Sequence, residues 1–506
     1  MRKTILLLVC VFIYLQAYSQ KEAAHWYFGN YAGIDFTDLY TASNVTVNGV
    51  ANQTLSGIPK FESGPISTWE GCFSISDRNG NFLFASDGRK VYNKLKQQMP
   101  HGAGLRGHNS TAQSGIFIPR PEHPNNYYIV TASCNEDATG APVMYYEVNL
   151  ELDNGKGDVL GPYTSNVPNG IALNYGGVFP ATQKAGENIA AVGHSNGIDY
   201  WLTHHLGAYF FVWKVTKDGI NPTPTHIIQV PDITPSAFGY TKFSSDGKYM
   251  VATSYNHIVV GNFDTTTGLI SNIKNKAITG MTAYSFALSP DNKYIYYVDL
   301  YGNSNLRRLS LNSIISGIAE TPISYTSFSL SNVQIGPDER IYGIGTNANT
   351  ASKRHLYIIL DPNEVNPTTA IVPYFFPDAT LPGLGLPTFT SSFFGMRDLK
   401  ANPANPCENN EVELSIKINP GTGSNSVKSI KWDFGDGTAP VIDTNMNQFL
   451  FMQKHTYEKR GRYTLTLTPC SDVAGTQAID NKIQTLSIKV SSCRLPVNHN
   501  ISNMEY

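Results

Sequence analysis

The sequence predicts an all-β protein: a seven-bladed β-propeller, within a range of six to eight blades, followed by a small β-sandwich. Three observations carry that expectation. Short apolar or alternating runs recur along the chain, separated by Gly, Asn, Asp, Pro and Ser, while long helical periodicity is nearly absent. A unit of strand, Asp turn and aromatic strand returns at a regular spacing. After Met396 the composition changes, and a further set of alternating strands follows. The bulk numbers agree. The 506 residues are only 15% charged, against ~25% in an average globular protein, and they include 29 Tyr, 24 Phe and 43 Gly. Aromatics suit pleated surfaces and glycines suit turns.

The first residues read as an export signal. Met1-Arg2-Lys3 is a basic start, Thr4 to Leu15 is apolar but too short to span a bilayer, and Ala17 and Ser19 stand at cleavage spacing. A signal peptide over 1–19, cut between Ser19 and Gln20, is expected. That makes the protein exported, to the cell surface or beyond, with the periplasm as the other destination. Cys10 lies within the apolar run, so no lipoprotein is expected. No later segment is long and apolar enough for a transmembrane helix.

Residues 20–396 carry the repeat. "FSSDGKYMVATS" starts at Phe243, "LSPDNKYIYYVD" at Leu288 and "IGPDERIYGIGT" at Ile335. Their aspartates, Asp246, Asp291 and Asp338, stand 45 and 47 residues apart. A looser copy, "SISDRNGNFLFASDG", starts at Ser74 and contains Asp77. A period of ~40–50 residues made of short strands marks a propeller blade, which buries its faces only by stacking in a ring. A large sandwich array is the alternative. An open ring exposes two sheet edges, so "LPTFTSSFF" near residue 390 is expected to pair with "HWYFG" at 25–29. Residues 397–410, "RDLKANPANPCENN", read as a linker. Residues 411–495 read as a sandwich domain and 496–506 as a tail.

Several strings invite a chemical reading. "GHSNG" at 193–197 fits the nucleophile pattern Gly-x-Ser-x-Gly, but strand material rather than a helix follows Ser195, so a hairpin turn is expected. His194, His204 and His205 could ligate a metal. However, His204 and His205 point to opposite faces of a strand, and the expectation is one satisfied in the core and one exposed. Asp77, Asp246, Asp291 and Asp338 are expected to brace turns. Calcium is conceivable at 76–82, where the bidentate acid that should close the loop is absent. Glu70, Asp77, Asp87 and Asp153 could supply a glycosidase pair, but spacing selects none. Asp433-Phe434-Gly435 spells the kinase tripeptide without the rest of the kinase set. The acids Asp433 and Asp436 are too few for a calcium loop. No catalytic, cofactor or metal residue is assigned. A net charge of −2 gives no reason to expect nucleic acid.

The C-terminal strands resemble the PKD domain, an immunoglobulin-like β-sandwich. "WDFGDGT" at 432–438, "HTYEKRGRYTLTLT" at 455–468 and the closing strand "QTLSIKV" carry the resemblance. It implies that Trp432 is core and that Tyr457 and Gly461 shape the start of a strand. Within that topology Cys407, before the first strand, and Cys493, after the last, can meet at one pole. Cys407–Cys493 is the favoured disulfide over Cys407–Cys470; without Cys10, five cysteines remain, so at least one stays unpaired in the chain. Residues 25–394 resemble a propeller-like module at the front of secreted and surface proteins of Bacteroidetes-type bacteria. Here "HWYFGNYAGIDF", "EGCFSISDRNGNFLFASDGRKVYN", "MPHGAGLRGHNSTAQSGIFIPRP", "HSNGIDYWLTHH" and "GLPTFTSSFF" carry it. Many such proteins end in a type IX sorting domain, which is not recognisable in this sequence. The reading that follows is a non-enzymatic binding or adhesion protein. Its propeller would hold a cell-envelope protein or a glycan, with the PKD-like domain as spacer. The alternatives are a polysaccharide-acting propeller hydrolase and a structural part of a secretion or gliding machine.

Overall fold

The computed structural model describes residues 21–492, apart from 78, 135–136, 138–139, 231–238, 255, 279–281, 300–303, 346–351, 395–398, 404, 418–426, 447–449 and 480–482. The expected signal peptide with its Ser19–Gln20 cleavage point, the Cys493 half of the expected disulfide and the tail lie outside the described residues. Two compact units are present, Gln20–Met396 and, in the main, Arg397–Pro420 with Ser426–Tyr506.

The first unit is a β-propeller built from antiparallel meanders. The first runs through Phe73–Ser76, Phe82–Ser86, Lys90–Tyr92 and Gln98–Ala103. The second uses Gly115–Pro119, Asn126–Thr131, Met144–Asn149 and Asp158–Val159. The third uses Ala190–Gly193, Tyr200–Leu206 and Tyr209–Thr216, whose outer edge takes both Gly219–Ile220 and His226–Gln229. Thr241–Phe243, Tyr249–Ser254, His257–Phe263 and Ile270–Ala277 form the fourth. The long strand Ile323–Ile335 is shared. Its start closes the fifth meander (Ala283–Leu288, Tyr294–Asp299, Asn305–Ser310), and its end opens the sixth (Ile341–Gly345, Leu356–Ile359, Thr369–Val372). A three-stranded set, His25–Phe28, Ala32–Val47 and Val50–Phe61, precedes them. The expected count of seven is reached only by taking this set as a blade.

The core sits between meanders, so each sheet is covered on both faces. Along the third meander, Leu202, Phe211 and Trp213 pack towards the second, while Trp201, Phe210 and Val212 pack towards the fourth. That two-sided cover corrects the histidine expectation. His204 and His205 do point to opposite faces, yet both are fully buried. The aromatics Trp26, Tyr27, Phe28, Trp201, Phe210 and Phe211 are blade core for the same reason.

The repeat aspartates all occupy one place, the turn from the first to the second strand of a meander. Ser244 Oγ donates to Asp246 Oδ1 at 2.7 Å and accepts from Tyr249 N at 2.9 Å, while Lys248 N also donates to Asp246. Ser289, Asp291, Lys293 and Tyr294 repeat the pattern. Asp338 receives Arg340 N and the Tyr342 hydroxyl. Asp77 receives Asn79 N and Asn81 N. A side-chain oxygen that takes turn N–H groups does what a backbone carbonyl would do in a longer loop. The 45- and 47-residue spacing is therefore one meander.

Ring closure differs from the expectation. The strand Ala32–Val47 pairs with the outermost strand of the sixth meander, Thr46 opposite Ile371 and Val47 opposite Ala370. Asn48 Oδ1 adds bonds from Thr369 N and Oγ1. "LPTFTSSFF" does meet "HWYFG", with the Phe389 ring 6.0 Å from Trp26. Its main chain bonds elsewhere, however: Thr388 N donates to Cys72 O. The outer strand already satisfies the open edge, which leaves residues 383–394 for the centre of the ring.

The second unit is a sandwich. Lys400–Asn402, Glu411–Lys417 and Leu450–Thr456 form one sheet; Val441–Asp443, Ser429–Asp433, Gly461–Cys470 and Gln484–Val490 form the other. Trp432, Phe434 and Tyr457 lie in the core between them. Asp433 and Asp436 each take an N–H two residues on, from Gly435 and Thr438. Asp436 Oδ2 also meets His455 Nε2 at 2.7 Å, and the Phe434 and His455 rings stack at 3.9 Å. The two sequence motifs are thus bound to each other, and these bonds hold the Asp436 carboxyl below its ordinary range against the upward push of burial. Cys470 is a buried free thiol, so it is no partner for Cys407. The backbone of Cys407 bridges to Ser491, two residues before Cys493. Non-reducing peptide mapping of residues 20–506, expressed under oxidising conditions, is expected to return a linked Cys407–Cys493 peptide; recovery of both as free thiols overturns this.

Candidate functional site

The first strands of the meanders converge on the ring centre, which residues 383–394 fill. Ser331 Oγ and Asn332 Nδ2 donate to the carbonyls of Gly383 and Leu384. Leu384 N donates to Trp69 O. Thr390 Oγ1 donates to Phe117 O, while Ser391 Oγ and Ser392 Oγ accept from Phe243 N and Gly193 N. With the bridge from Thr388 to Phe73 of the first meander, one strap touches five of the six meanders. Glycine is required along it: a Cβ on Gly385 would lie 2.2 Å from Glu70 O, and one on Gly383 2.3 Å from Trp69 O.

Beside the strap a cavity of about 30 Å³ remains, lined by Lys242, Gln113, Gln334, Leu386 and Phe389 among others. Lys242 Nζ donates to Phe286 O at 2.6 Å, Gln334 Oε1 at 2.6 Å and Val333 O at 3.2 Å. All three ammonium protons are taken by neutral oxygens, and among the described residues no carboxylate forms an ion pair with it. Burial pushes its pKa down to about 7. The geometry suits a cross-brace between the fourth, fifth and sixth meanders.

At the end where the first strands begin, polar groups are buried in a ring. Gln113 accepts from Ile189 N and Thr241 N, and Asn188 joins His205 to Thr241. Asn332 Nδ2 donates to the Tyr240 hydroxyl at 2.5 Å, and Ser285 Oγ donates to Asn332 Oδ1. Two acids, Glu70 and Glu187, lie here. Glu187 accepts from Ala112 N and the Cys134 thiol, and Glu70 from Ser110 Oγ. Both raise the Tyr240 hydroxyl pKa further, after burial, the larger cause. Directly before Glu70 stands Trp69, 56% exposed. Its backbone is clamped by the strap while its indole faces solvent. Tyr31, 46% exposed, is on the adjoining hairpin, where Asn30 bridges Ser67.

Of the residues singled out in the sequence, Glu70 lies at this centre and His204 and His205 border it through Asn188, while the others fall apart from it. Ser195 is exposed in the hairpin between Gly193 and Tyr200, where Asn196 Oδ1 takes the N–H groups of Ile198 and Asp199. "GHSNG" is the third meander's version of the Asp turn. His194 stacks on Trp201 at 5.4 Å. His204 bonds Asn188 O and Gly186 N, and burial pushes both His204 and His205 down to about 4, so they are neutral core groups. Asp87 braces Arg89 N and Lys90 N, and Asp153 lies near Lys156 in a turn of the second meander. Sequence reading missed Glu187 and Lys242, which carry no motif. Trp69 carries no motif either, and lies one residue before the string that opens at Glu70.

No curated protein matches the sequence. Among solved structures, the periplasmic gluconolactonase of Pseudomonas aeruginosa is similar at 12% identity and a TM-score of 0.41, covering 69% of this chain and 99% of that one. The Dos1 propeller is similar at 13% and 0.38, covering 70% and 79%. The β-propeller domain of Cps50 (Swd1) from Myceliophteria thermophila follows at 10% and 0.34, covering 69% and 96%. The strand pairing establishes the propeller independently of them. Residues 399–480 match the PKD domain, so this chain carries a β-propeller followed by a PKD domain.

Proposed function

We propose that the protein is an exported, non-enzymatic binding protein of the cell envelope or surface. Its propeller holds a glycan or an envelope protein at the face around Trp69, and the PKD domain serves as spacer. Among the described residues no helix is long and apolar enough to cross a membrane. The observation that carries the reading is Trp69: a large aromatic kept 56% exposed on a backbone fixed by the strap. An exposed indole on an anchored backbone, beside polar groups, is the kind of surface on which a sugar ring or an apolar side chain packs. A glycan array probed with residues 20–506, and a pull-down from the envelope fraction, test it. Trp69→Ala is expected to lower binding at least about tenfold, the scale of an interface hot spot, without moving the melting temperature. Unchanged binding by the variant overturns the placement.

The second reading, a hydrolase acting on polysaccharide, draws on Glu70 and Glu187 beside Tyr240. Two carboxylates across a cleft are the requirement of glycoside hydrolysis. Release of reducing ends that disappears in both Glu70→Gln and Glu187→Gln would replace the binding reading.

A further inference from the structure

We propose that His25, Asp35 and Glu62 form a binding site for a divalent transition-metal ion of the zinc class, at the closing hairpin of the propeller. His25 and Asp35 face each other across the first two strands, and Glu62 follows the end of the third, Val50–Phe61. Ligand atoms from the three side chains lie within 4.8 Å of one another. His25 Nδ1 is 2.5 Å from Glu62 Oε1 and 3.8 Å from Asp35 Oδ1. An imidazole with two carboxylates is a donor set that zinc accepts, with a further position left for water. Calcium takes six to eight oxygens and is poorly served by it.

Two further observations point the same way. The His25 ring also lies close to the backbone of Gly80. A metal-ligating histidine characteristically donates its other ring N–H to a group such as a backbone carbonyl, which fixes the tautomer and aims the lone pair at the ion. Next, the Tyr27 hydroxyl is buried, makes no hydrogen bond of normal geometry, and faces both Glu62 and Asp35. A buried hydroxyl left unsatisfied is costly unless something polar arrives. A metal-bound water would meet it.

The remaining contacts hold the ligands in place. Lys96 Nζ is 3.0 Å from Glu62 Oε2 and also bonds Ser63 O, which leaves Oε1 turned towards His25. Thr37 N and Oγ1 both donate to Asp35 Oδ1, which orients that carboxylate. The three ligand side chains are 12%, 20% and 21% exposed, so an ion has a path in. It would take the place of the hydrogen bond between His25 and Glu62. It would also tie the hairpin to the end of the third strand.

The test uses untagged residues 20–506 stripped with EDTA, then titrated with zinc chloride by calorimetry and melted with and without it. One zinc per chain and a higher melting temperature for the propeller are expected. Asp35→Asn and Glu62→Gln, which preserve shape, are each expected to weaken zinc at least about tenfold. Lys96→Gln removes a competing cation and no ligand, and is expected to tighten it several-fold. It keeps the test decisive if either carboxamide variant fails to fold. No bound zinc, equal affinity for calcium, unchanged affinity in both carboxamide variants, or no tightening in Lys96→Gln overturns the site.

Discussion

A chain lacking residues 20–36 is expected to lose the cooperative thermal transition of its propeller. The deletion removes Trp26, Tyr27, Phe28 and Ile34, all fully buried. Trp26 packs on Phe36 at 4.9 Å, on Tyr342 of the sixth meander at 6.0 Å and on Phe389 of the central strap. Phe28 meets Phe376 edge-on. Replacing one buried aromatic by alanine costs ~3–5 kcal/mol, and a domain is stable by only ~5–15 kcal/mol. Three such losses exhaust that margin. The truncation also strips partners from Phe61 and Lys60 and exposes a sheet edge. Calorimetry and near-ultraviolet circular dichroism read the outcome: a flat melting profile for the propeller is expected, and a sharp transition at the native temperature overturns the account. Trp26→Ala alone should lower stability by ~3–5 kcal/mol.

The second large effect is expected from Gly435→Ala, which should unfold the PKD domain at temperatures where the parent is folded. Gly435 sits in the turn of "WDFGDGT" with φ of +75°, a conformation that side chains rarely adopt. A Cβ there would lie 2.2 Å from the carbonyl oxygen of Thr464 on the facing strand. The strain of positive φ costs ~1–3 kcal/mol, and the contact with backbone cannot be relieved by a rotamer change. The turn must move, and moving it breaks the Tyr457 hydroxyl bond to Phe434 O and the stacking of Phe434 on His455. Calorimetry of the parent and the variant checks this. By contrast Gly437→Ala, where φ is +88° but no atom lies within 4 Å of the new Cβ, should cost only the backbone strain. Equal melting curves for Gly435→Ala and the parent would show that the turn is not tightly packed.

The features legible in the sequence are those written locally. The Asp turns repeat because each meander needs the same short connection, so Asp246, Asp291 and Asp338 announce the blade period. "WDFGDGT" and "HTYEKRGRY" announce the sandwich because Trp432, Phe434 and Tyr457 must be core and Asp436 must brace a turn. What was not legible depends on contacts far apart along the chain. Nothing near Thr46 says that it will pair with Ile371. The burial of both His204 and His205 follows from neighbours on each side of one sheet, which a single strand does not disclose. Glu70 was in view, but its companions Glu187, Tyr240 and Asn332 come from other blades. His25, Asp35 and Glu62 stand at no metal-ligand spacing; a hairpin and a returning strand bring them together.

The pairing of Thr46 with Ile371 also bears on the order of events during synthesis. The bonds from Thr369 to Asn48 span 321 residues. The strand Ala32–Val47 therefore emerges early and waits for its outer partner until nearly all of the propeller has been made. Contacts so distant along the chain slow folding, because loop closure precedes any gain from the contact. Until then Trp26 has no Tyr342 or Phe389 and Phe28 no Phe376 to cover it, and an apolar hairpin with an open edge invites misassociation. The nascent ring is thus most vulnerable to aggregation just before its last strand arrives, and a chaperone acting on this protein has its task set by the first hairpin.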